Sequence, residues 1–417
     1  MGMTDNAASP RSALTEPTVR VGRRWISAWT AALFGMYMAY YAAAQIVLPE
    51  QAEAVAGDGK VALLAIVTGV ASIVTIIVVF LSGVLSDRTL SRRGRRQPWV
   101  LTGAVITGVF VAGQGFATTA LAMVAVWALA NVGISLMTAG LFAAVPDEVP
   151  VTQRAYVSSF YSNAVAVGPL VGIALVSVLV TDIQPGFLLL GLFALVLGLP
   201  YALGTRGPQL LVAERPPLSI RSTLVGIVAP LRHADFAWAW SGRFFIQLSN
   251  ALAQVFLYFY LQDYVHYADP EIGTLILVVV YTVGVVVAAL PCGRISDRTM
   301  KRKRMVVIAS VLQGLAGLIM AFLPFFPAAI VAALVLGLGY GAYAAVDQAL
   351  VTQVLPHPED RGKDLAVINI ANVLPYAATG LIGGTVISLF GYPTLMILVL
   401  VTAVIAALTV WPIKAVQ

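Results

Sequence analysis

Two ionisable residues of opposite charge, Arg243 and Asp347, stand inside long apolar stretches of this 417-residue chain. Each lies six or seven residues from the nearer end of its stretch, which is roughly 10 Å deep if the stretch is a helix. A charge surrounded by hydrocarbon is costly and usually marks a functional site. Two hypotheses stay open. Asp347 takes up a proton and releases Arg243, or the two residues form a permanent structural ion pair.

Polar side chains recur at spacings of three or four in several apolar stretches, so each set occupies one helix face. Asn, Gln and Tyr offer donors, acceptors and a ring face, which suits a neutral, polyhydroxylated ligand. The alternative is that these groups hydrogen-bond between packed helices. The candidate binding residues are Tyr37, Tyr41, Gln45, Asn131, Gln247, Asn250, Gln254, Tyr343, Gln348, Asn369, Asn372 and Tyr376.

A charged motif occurs twice, at residues 83–96 and, in weaker form, at 293–304. The copies are 210 residues apart, so the chain reads as two related halves. We expect each copy to form a short hairpin between two helices, and we expect a carboxylate there to accept charge-assisted hydrogen bonds from nearby arginines. The candidate gating residues are Gly83, Asp87, Arg88, Gly293, Asp297 and Arg298.

Asp87 has two predicted sets of partners. It can bond Arg88 or Arg92, or it can face the start of a helix in the other half, near residues 361–365, where the helix dipole is positive. The alternative to gating is that the basic residues only fix orientation in a membrane. We expect that simpler role for the remaining basic residues of the two copies, namely Arg93, Arg95, Arg96 and Lys301 to Arg304.

Composition excludes a soluble domain. Hydrophobic residues make up 59% of the chain and charged residues 11%, against about 25% charged in soluble domains, and the mean hydropathy is +0.90. The net charge of +6 indicates membrane orientation rather than nucleic-acid binding, because of where the charges lie. One cysteine, Cys292, and three scattered histidines predict no disulfide, no metal site and no cofactor. We identify no catalytic residues and expect no enzyme.

These residues must be positioned by membrane helices. A span needs roughly 20 apolar residues, and runs of this length indicate helices rather than a barrel. We number the twelve predicted spans as segments 1 to 12: 24–48, 60–82, 99–117, 119–145, 155–180, 185–204, 236–262, 271–292, 304–323, 327–354, 363–390 and 392–413. The predicted organisation is a tail over 1–23, a six-helix bundle over 24–204, a linker over 205–235 and a second bundle over 236–417.

Basic residues predict the orientation. With the N-terminus in the cytoplasm, the cytoplasmic loops and tails hold 23 of the 25 lysines and arginines. Of the other two, Lys60 falls on the outside and Arg243 lies within a segment. This bias follows the positive-inside rule. We therefore expect a monomer in the plasma (inner) membrane, embedded in the lipid bilayer, with both termini cytoplasmic.

The twelve spans, the six-plus-six repeat and the Gly-x-x-x-Asp-Arg motif after segments 2 and 8 together resemble the major facilitator superfamily. The longer form at 86–98 is similar to the glycoside–pentoside–hexuronide symporters and sucrose-type transporters. The resemblance implies a secondary active transporter that moves a small polar organic solute, sugar-like by preference, by alternating access. It also implies that segments 1, 4, 7 and 10 line a central cavity. Residues 61–82 hold no acid, whereas sodium-coupled members carry Asp there, so we expect coupling to H⁺ through Asp347 and Arg243.

A second resemblance leads to a different function. Gly168-Pro169-Leu170-Val171-Gly172 in segment 5 is similar to part of the motif of drug-exporting antiporters, which makes efflux of drugs or amphiphiles the alternative. A Gly-Pro pair can instead serve helix packing. A non-transporting membrane receptor is the remote alternative, because the sequence shows no added soluble domain and no nucleotide-binding loop.

Overall fold

The computed structural model describes residues 16–212, 230–299, 301–354 and 361–413, and within these ranges the chain is helical without β-strands. Each predicted segment is helical. A backbone in hydrocarbon must satisfy its own hydrogen bonds, and a helix does so. The observed bounds are Arg23–Ala42, Ala43–Val47 and Leu48–Ala56 for segment 1; Lys60–Ser86, Gln97–Gln114, Ala120–Glu148 and Val151–Ala174 with Leu175–Leu179 for segments 2 to 5; and Ile183–Gly204 for segment 6.

In the second half, segment 7 is Ala234–Val255, Leu257–Phe259 and Tyr260–Tyr264, and segments 8 to 10 are Pro270–Thr299, Arg302–Phe322 and Phe326–Val354. Segments 11 and 12 share the helix Arg361–Val410, which breaks at Gly391. The φ of Gly391 is 80°, a conformation that glycine adopts without a steric penalty.

Length and composition qualify eight helices of the described chain as membrane spans, or nine if the bent pair in segment 7 counts as one. Two of the eight, Arg23–Ser86 and Ile370–Val410, each cover two predicted segments. Segment 3, Gln97–Gln114, is helical but is not among them. The chain is therefore a multi-pass membrane protein, and the count of twelve crossings stays a prediction.

The helices of the two halves pack in the same pattern. Segment 1 packs on 5 and 6, segment 2 on 4, and segment 3 on 4 and 6; segment 7 packs on 11 and 12, segment 8 on 10, and segment 9 on 10 and 12. One close contact recurs in detail. Gly133 abuts Thr107, and Gly339 abuts Gln313, with both members shifted by 206 residues.

The halves contact each other along two seams, segment 2 with segment 11 and segment 5 with segment 8. We call the end of the bundle that holds Lys60 the outer end, and the end that holds residues 83–96 the inner end. On the first seam Gly69 meets Leu381, Gly380 meets Thr68, and Gly384 meets Ala65. All of these residues belong to the outer half of their helices, so the described contact between the halves concentrates toward the outer end.

The two charged motifs are more helical than predicted. Gly83 to Ser86 complete the helix of segment 2, and the turn begins only at Asp87. Gly293 to Thr299 are helical throughout, as the end of segment 8. The expected hairpin at 293–304 is therefore wrong over most of its length, because the helix extends past the apolar run by almost two turns.

Candidate functional site

Segments 7 and 10 bring Arg243 and Asp347 together. Nη2 of Arg243 lies 3.1 Å from Oδ2 of Asp347, and each residue is 6% exposed. The hydroxyl of Tyr343 donates to Oδ1 of Asp347 at 2.6 Å, and Nε of Arg243 donates to Oδ1 of Asn372 at 2.7 Å. Both charges are thus compensated and hydrogen-bonded, which a buried ion pair requires.

Next to the ion pair, a chain of side-chain amides follows segment 7. Gln247 also donates to Oδ1 of Asn372, at 3.2 Å. Farther along the helix, Nδ2 of Asn250 donates to the Tyr281 hydroxyl at 3.1 Å, and Gln254 donates to Oδ1 of Asn250. Since Asn250 is 2% exposed and bonded on both sides, its amide serves interhelical bonding, as the packing alternative anticipated.

A cavity lies next to the outer end of this chain of amides, and residues of both halves line it. Five predicted binding residues line it together. Tyr41, Gln45 and Asn131 come from segments 1 and 4, whereas Gln254 and Tyr376 come from segments 7 and 11. Because both halves supply walls, a ligand held here would feel any change in their relative position.

The amide of Gln45, on the cavity wall, carries an unpaired acceptor in the described structure. Its Oε1 atom is buried and has no hydrogen-bond partner among the described residues. Gln45 belongs to the π-helical turn Ala43–Val47, and such turns interrupt the regular helix and often occur at functional sites. An unpaired buried acceptor costs free energy, so this atom favours a ligand that carries a donor.

The cavity also has an aromatic wall that the sequence analysis missed. Tyr40 and Trp127 both line the cavity, and their rings stack with centroids 6.2 Å apart. Trp127 precedes Asn131 by one helical turn, and its carbonyl accepts the Asn131 amide at 2.9 Å. Extending the segment 4 stripe by four residues toward the N-terminus would have found Trp127.

The remaining predicted binding residues lie elsewhere or cannot be placed. Tyr37 points toward segment 5, where its hydroxyl is 3.5 Å from that of Tyr161. Tyr343 is committed to Asp347. The side chains of Gln348 and Asn369 lie outside the described part of the structure.

At the inner end, the arginines predicted to bond Asp87 are the wrong ones. Oδ1 of Asp87 accepts from Nη2 of Arg96 at 2.7 Å, and not from Arg88 or Arg92. The reason is geometric. Asp87 caps the end of segment 2, and the chain then turns back so that Arg96, at the start of segment 3, meets it. The side chains of residues 361–365, the other predicted contact of Asp87, lie outside the described residues.

Arg95 and Arg96 do more than fix orientation, so that expectation is also corrected. Nε of Arg95 lies 2.7 Å from Oδ2 of Asp147, and Nε of Arg96 lies 2.6 Å from the same oxygen. Both arginines are buried. Burial lowers the pKa of the Arg96 guanidinium, whereas Asp147 and Asp87 raise it, and the net shift is upward. Arg96 therefore stays charged and ties segments 2, 3 and 4 together.

Glu148, next to Asp147, is a second inner-end anchor that the sequence did not single out. Its carboxylate accepts from Nε1 of Trp25 at 2.6 Å, from Gln97 at 3.0 Å and from the hydroxyl of Tyr201 at 3.0 Å. Segments 1, 3, 4 and 6 thus converge on one carboxylate. We find no pattern in the sequence that separates Glu148 from other acids at helix ends.

Of the other candidate gating residues, the two glycines have open space around them in the described structure. A side chain added at Gly83 would meet no atom within 4 Å, and one at Gly293 would meet only Ala345, at 3.8 Å. Nη1 of Arg88 is buried without a described partner, and Arg298 is exposed. The side chain of Asp297 lies outside the described residues.

Comparison with known families gives two matches, one for each half. The sequence model of the Major Facilitator Superfamily matches residues 26–241 and 239–415. The chain belongs to the Major Facilitator Superfamily. It is therefore a membrane transporter rather than an enzyme, and secondary transport is the activity that its family supports.

Solved structures share this fold at low identity. A nucleoside transporter, NupG, has a TM-score of 0.72 at 13% identity, with 93% of this chain and 98% of that chain covered. A bacterial homologue of the human lysosomal transporter Spinster, in an inward-facing and unoccupied conformation, has a TM-score of 0.70 at 16% identity, with 93% and 95% covered. A POT family transporter in complex with a thioalcohol-conjugated peptide has a TM-score of 0.71 at 13% identity, with 92% and 94% covered.

A comparison with curated protein sequences returns no match. At 12–16% identity the structural neighbours show the fold alone. For this Major Facilitator Superfamily member, the side chains of its own cavity are therefore the evidence on the solute.

The Gly-Pro element of segment 5 is a helix-packing contact in this superfamily member. A side chain added at Gly168 would lie 3.1 Å from the carbonyl oxygen of Phe34, and one at Gly172 would lie 2.5 Å from that of Met38. Segment 5 therefore approaches the backbone of segment 1 closely. This contact explains the two glycines without reference to drug export.

Proposed function

We propose that this protein moves a small polar organic solute, sugar-like by preference, across the plasma membrane by alternating access coupled to protons. The observation that carries the proposal is the cavity between the halves, which Gln45, Asn131 and Gln254 line together with the stacked rings of Tyr40 and Trp127. Amides suit hydroxyl groups, and a ring face suits the apolar face of a sugar. Gln45 needs a donor, which a sugar hydroxyl supplies.

Coupling is assigned to the Asp347–Arg243 pair. With Asp347 ionised, Arg243 is held between Asp347 and Asn372. Protonation of Asp347 removes the counter-charge, and Arg243 and Asn372 then become available to other partners. Segments 7, 10 and 11 all contribute to this network, and segments 7 and 11 also line the cavity, so its rearrangement acts on two of the helices that border the ligand.

We also propose that the chain forms bundles over 24–204 and 236–417, crosses the membrane twelve times and has cytoplasmic termini. Among transporters we propose that it is nearest the glycoside–pentoside–hexuronide and sucrose-type families. Gly83, Asp87 and Arg88, with Gly293, Asp297 and Arg298, are the proposed inner gate. Drug efflux is the second candidate, because apolar and aromatic groups also line the cavity.

A ligand screen on purified protein tests the proposal. A ligand that binds only the folded state raises the melting temperature, so we expect sugars or polyols to do so. Replacing Gln45 by Leu removes about 1 kcal/mol of hydrogen bonding and should weaken the ligand affinity about fivefold to tenfold. Gln184→Leu, an exposed glutamine at the outer end, is the matched control and should leave the affinity unchanged. Stabilisation by lipophilic cations and not by sugars would favour efflux instead.

A further inference from the structure

Lys60 occupies a cluster at the outer end that joins the two halves. Its Nζ atom lies 3.1 Å from Oε1 of Glu53, 2.7 Å from Oε1 of Gln262 and 2.8 Å from Oδ1 of Asp263. Glu53 and Lys60 belong to the first half, and Gln262 and Asp263 belong to the second. The Lys60 side chain is only 12% exposed, so one ammonium group serves three acceptors across the interface.

The partners of Lys60 are themselves held in place. Nε2 of Gln262 donates to Oε2 of Glu53 at 2.8 Å, which closes a ring of contacts between the halves. The hydroxyl of Tyr392 donates to Oδ2 of Asp263 at 2.7 Å. The ring of Phe259 lies 5.0 Å from the ammonium, a distance that allows a cation–π contact. Each carboxylate therefore uses both oxygens, and the cluster forms only when the halves meet.

We propose that Lys60 is the latch of the outer gate, which holds the transporter closed toward the outer end and must release Gln262 and Asp263 before that end opens. Separation of the halves leaves the ammonium with Glu53 alone. It also removes the cationic partner of Asp263. The packing of segment 2 on segment 11 at Gly69 and Gly384 lies beside the latch, so both contacts must break in the same movement.

The position of Lys60 in the sequence supports a dedicated role. It is the one basic residue that the charge distribution places outside, where the positive-inside rule disfavours lysine. The competing explanation is a static contact that stabilises the fold in every state. The two differ in one respect: a latch changes the balance between outer-closed and outer-open states, and a static contact does not.

Accessibility of the cavity from outside measures that balance without any substrate. With Cys292 replaced by Ser, a reporter cysteine at Ala44, on the cavity wall, is treated with a membrane-impermeant maleimide from the side that holds Lys60. Loss of an ion pair with partly exposed acceptors shifts an equilibrium by about twofold to fivefold. We therefore expect Lys60→Met to raise the labelling rate by that factor and Lys60→Arg to raise it less.

Two further variants separate the latch from a general loss of stability. Asp263→Asn removes the ionic partner in the second half and should also raise labelling. Lys301→Met makes the same chemical change at an exposed inner-end lysine and should leave labelling at the wild-type rate. Unchanged or slower labelling in folded Lys60→Met would overturn the proposal. If Lys60→Met does not fold, Asp263→Asn decides by the same criterion, and failure of both to fold would establish the static role.

Discussion

The ion pair between Arg243 and Asp347 leads to a prediction about stability. Asp347→Asn leaves the Arg243 guanidinium buried and without the carboxylate that pairs with it in the described structure. At 3.1 Å and an effective dielectric constant of about 20, two unit charges attract each other by about 5 kcal/mol. Removing one partner of a buried pair typically costs about 3–5 kcal/mol, and we expect Asp347→Asn to destabilise the protein by that amount.

Arg243→Gln should cost a similar amount, because it leaves the Asp347 carboxylate with Tyr343 as its one described hydrogen-bond donor. The double variant Arg243→Gln/Asp347→Asn should cost less than either single change, since neither charge is then uncompensated. The assay is the free energy of unfolding of the four proteins in one detergent, arranged as a double-mutant cycle.

A coupling energy of about 2 kcal/mol or more would support the pair as a unit. Additive effects would refute the reasoning, because they would mean that each charge is stabilised independently of the other. Single variants within about 0.5 kcal/mol of the wild type would refute it as well, since that range is typical of exposed surface sites.

Three further predictions concern the inner end and the helix packing. Asp147→Asn, which removes the carboxylate that Arg95 and Arg96 share, should lower the free energy of unfolding by about 3 kcal/mol, whereas Asp58→Asn at an exposed site should not change it. Gly133→Ala should cost about 1–3 kcal/mol, because its Cβ would lie 2.4 Å from the backbone nitrogen of Thr107; Gly204→Ala, with no atom within 4 Å, should be neutral. Asp87→Asn should slow transport while the amount of protein in the membrane stays the same, and a normal rate would remove Asp87 from the gate.

The fold was predictable because two features of the sequence indicate it independently: the length of the apolar runs and the repeat of motifs between the two halves. Apolar run length identifies the helices, and the recurrence of Gly133 as Gly339 indicates duplicated packing. Helix ends were less predictable. Segment 8 continues to Thr299. A helix can extend beyond the membrane with the same backbone conformation, so the end of an apolar run does not mark the end of the helix.

The sequence placed polar residues on shared helix faces, and five of the twelve predicted binding residues line one cavity. Spacing placed Gln45, Asn131 and Gln254 on inward faces, and the structure brings them to one cavity. Spacing cannot show which acid meets which arginine across helices, so Arg96 was not recognised as the partner of Asp87. Lys60 was noted only as an exception to the charge rule, because its partners in the second half are about 200 residues away in the sequence.

Proton-driven accumulation of solute in proteoliposomes tests the central proposal most directly, with the wild type compared with Arg243→Gln/Asp347→Asn. The double variant lacks both charges and avoids an unpaired one, so it separates coupling from folding. We predict that the wild type accumulates the solute when a pH gradient is imposed, and that the variant only equilibrates it. Accumulation by the variant at the wild-type level would contradict the assignment of coupling to Asp347.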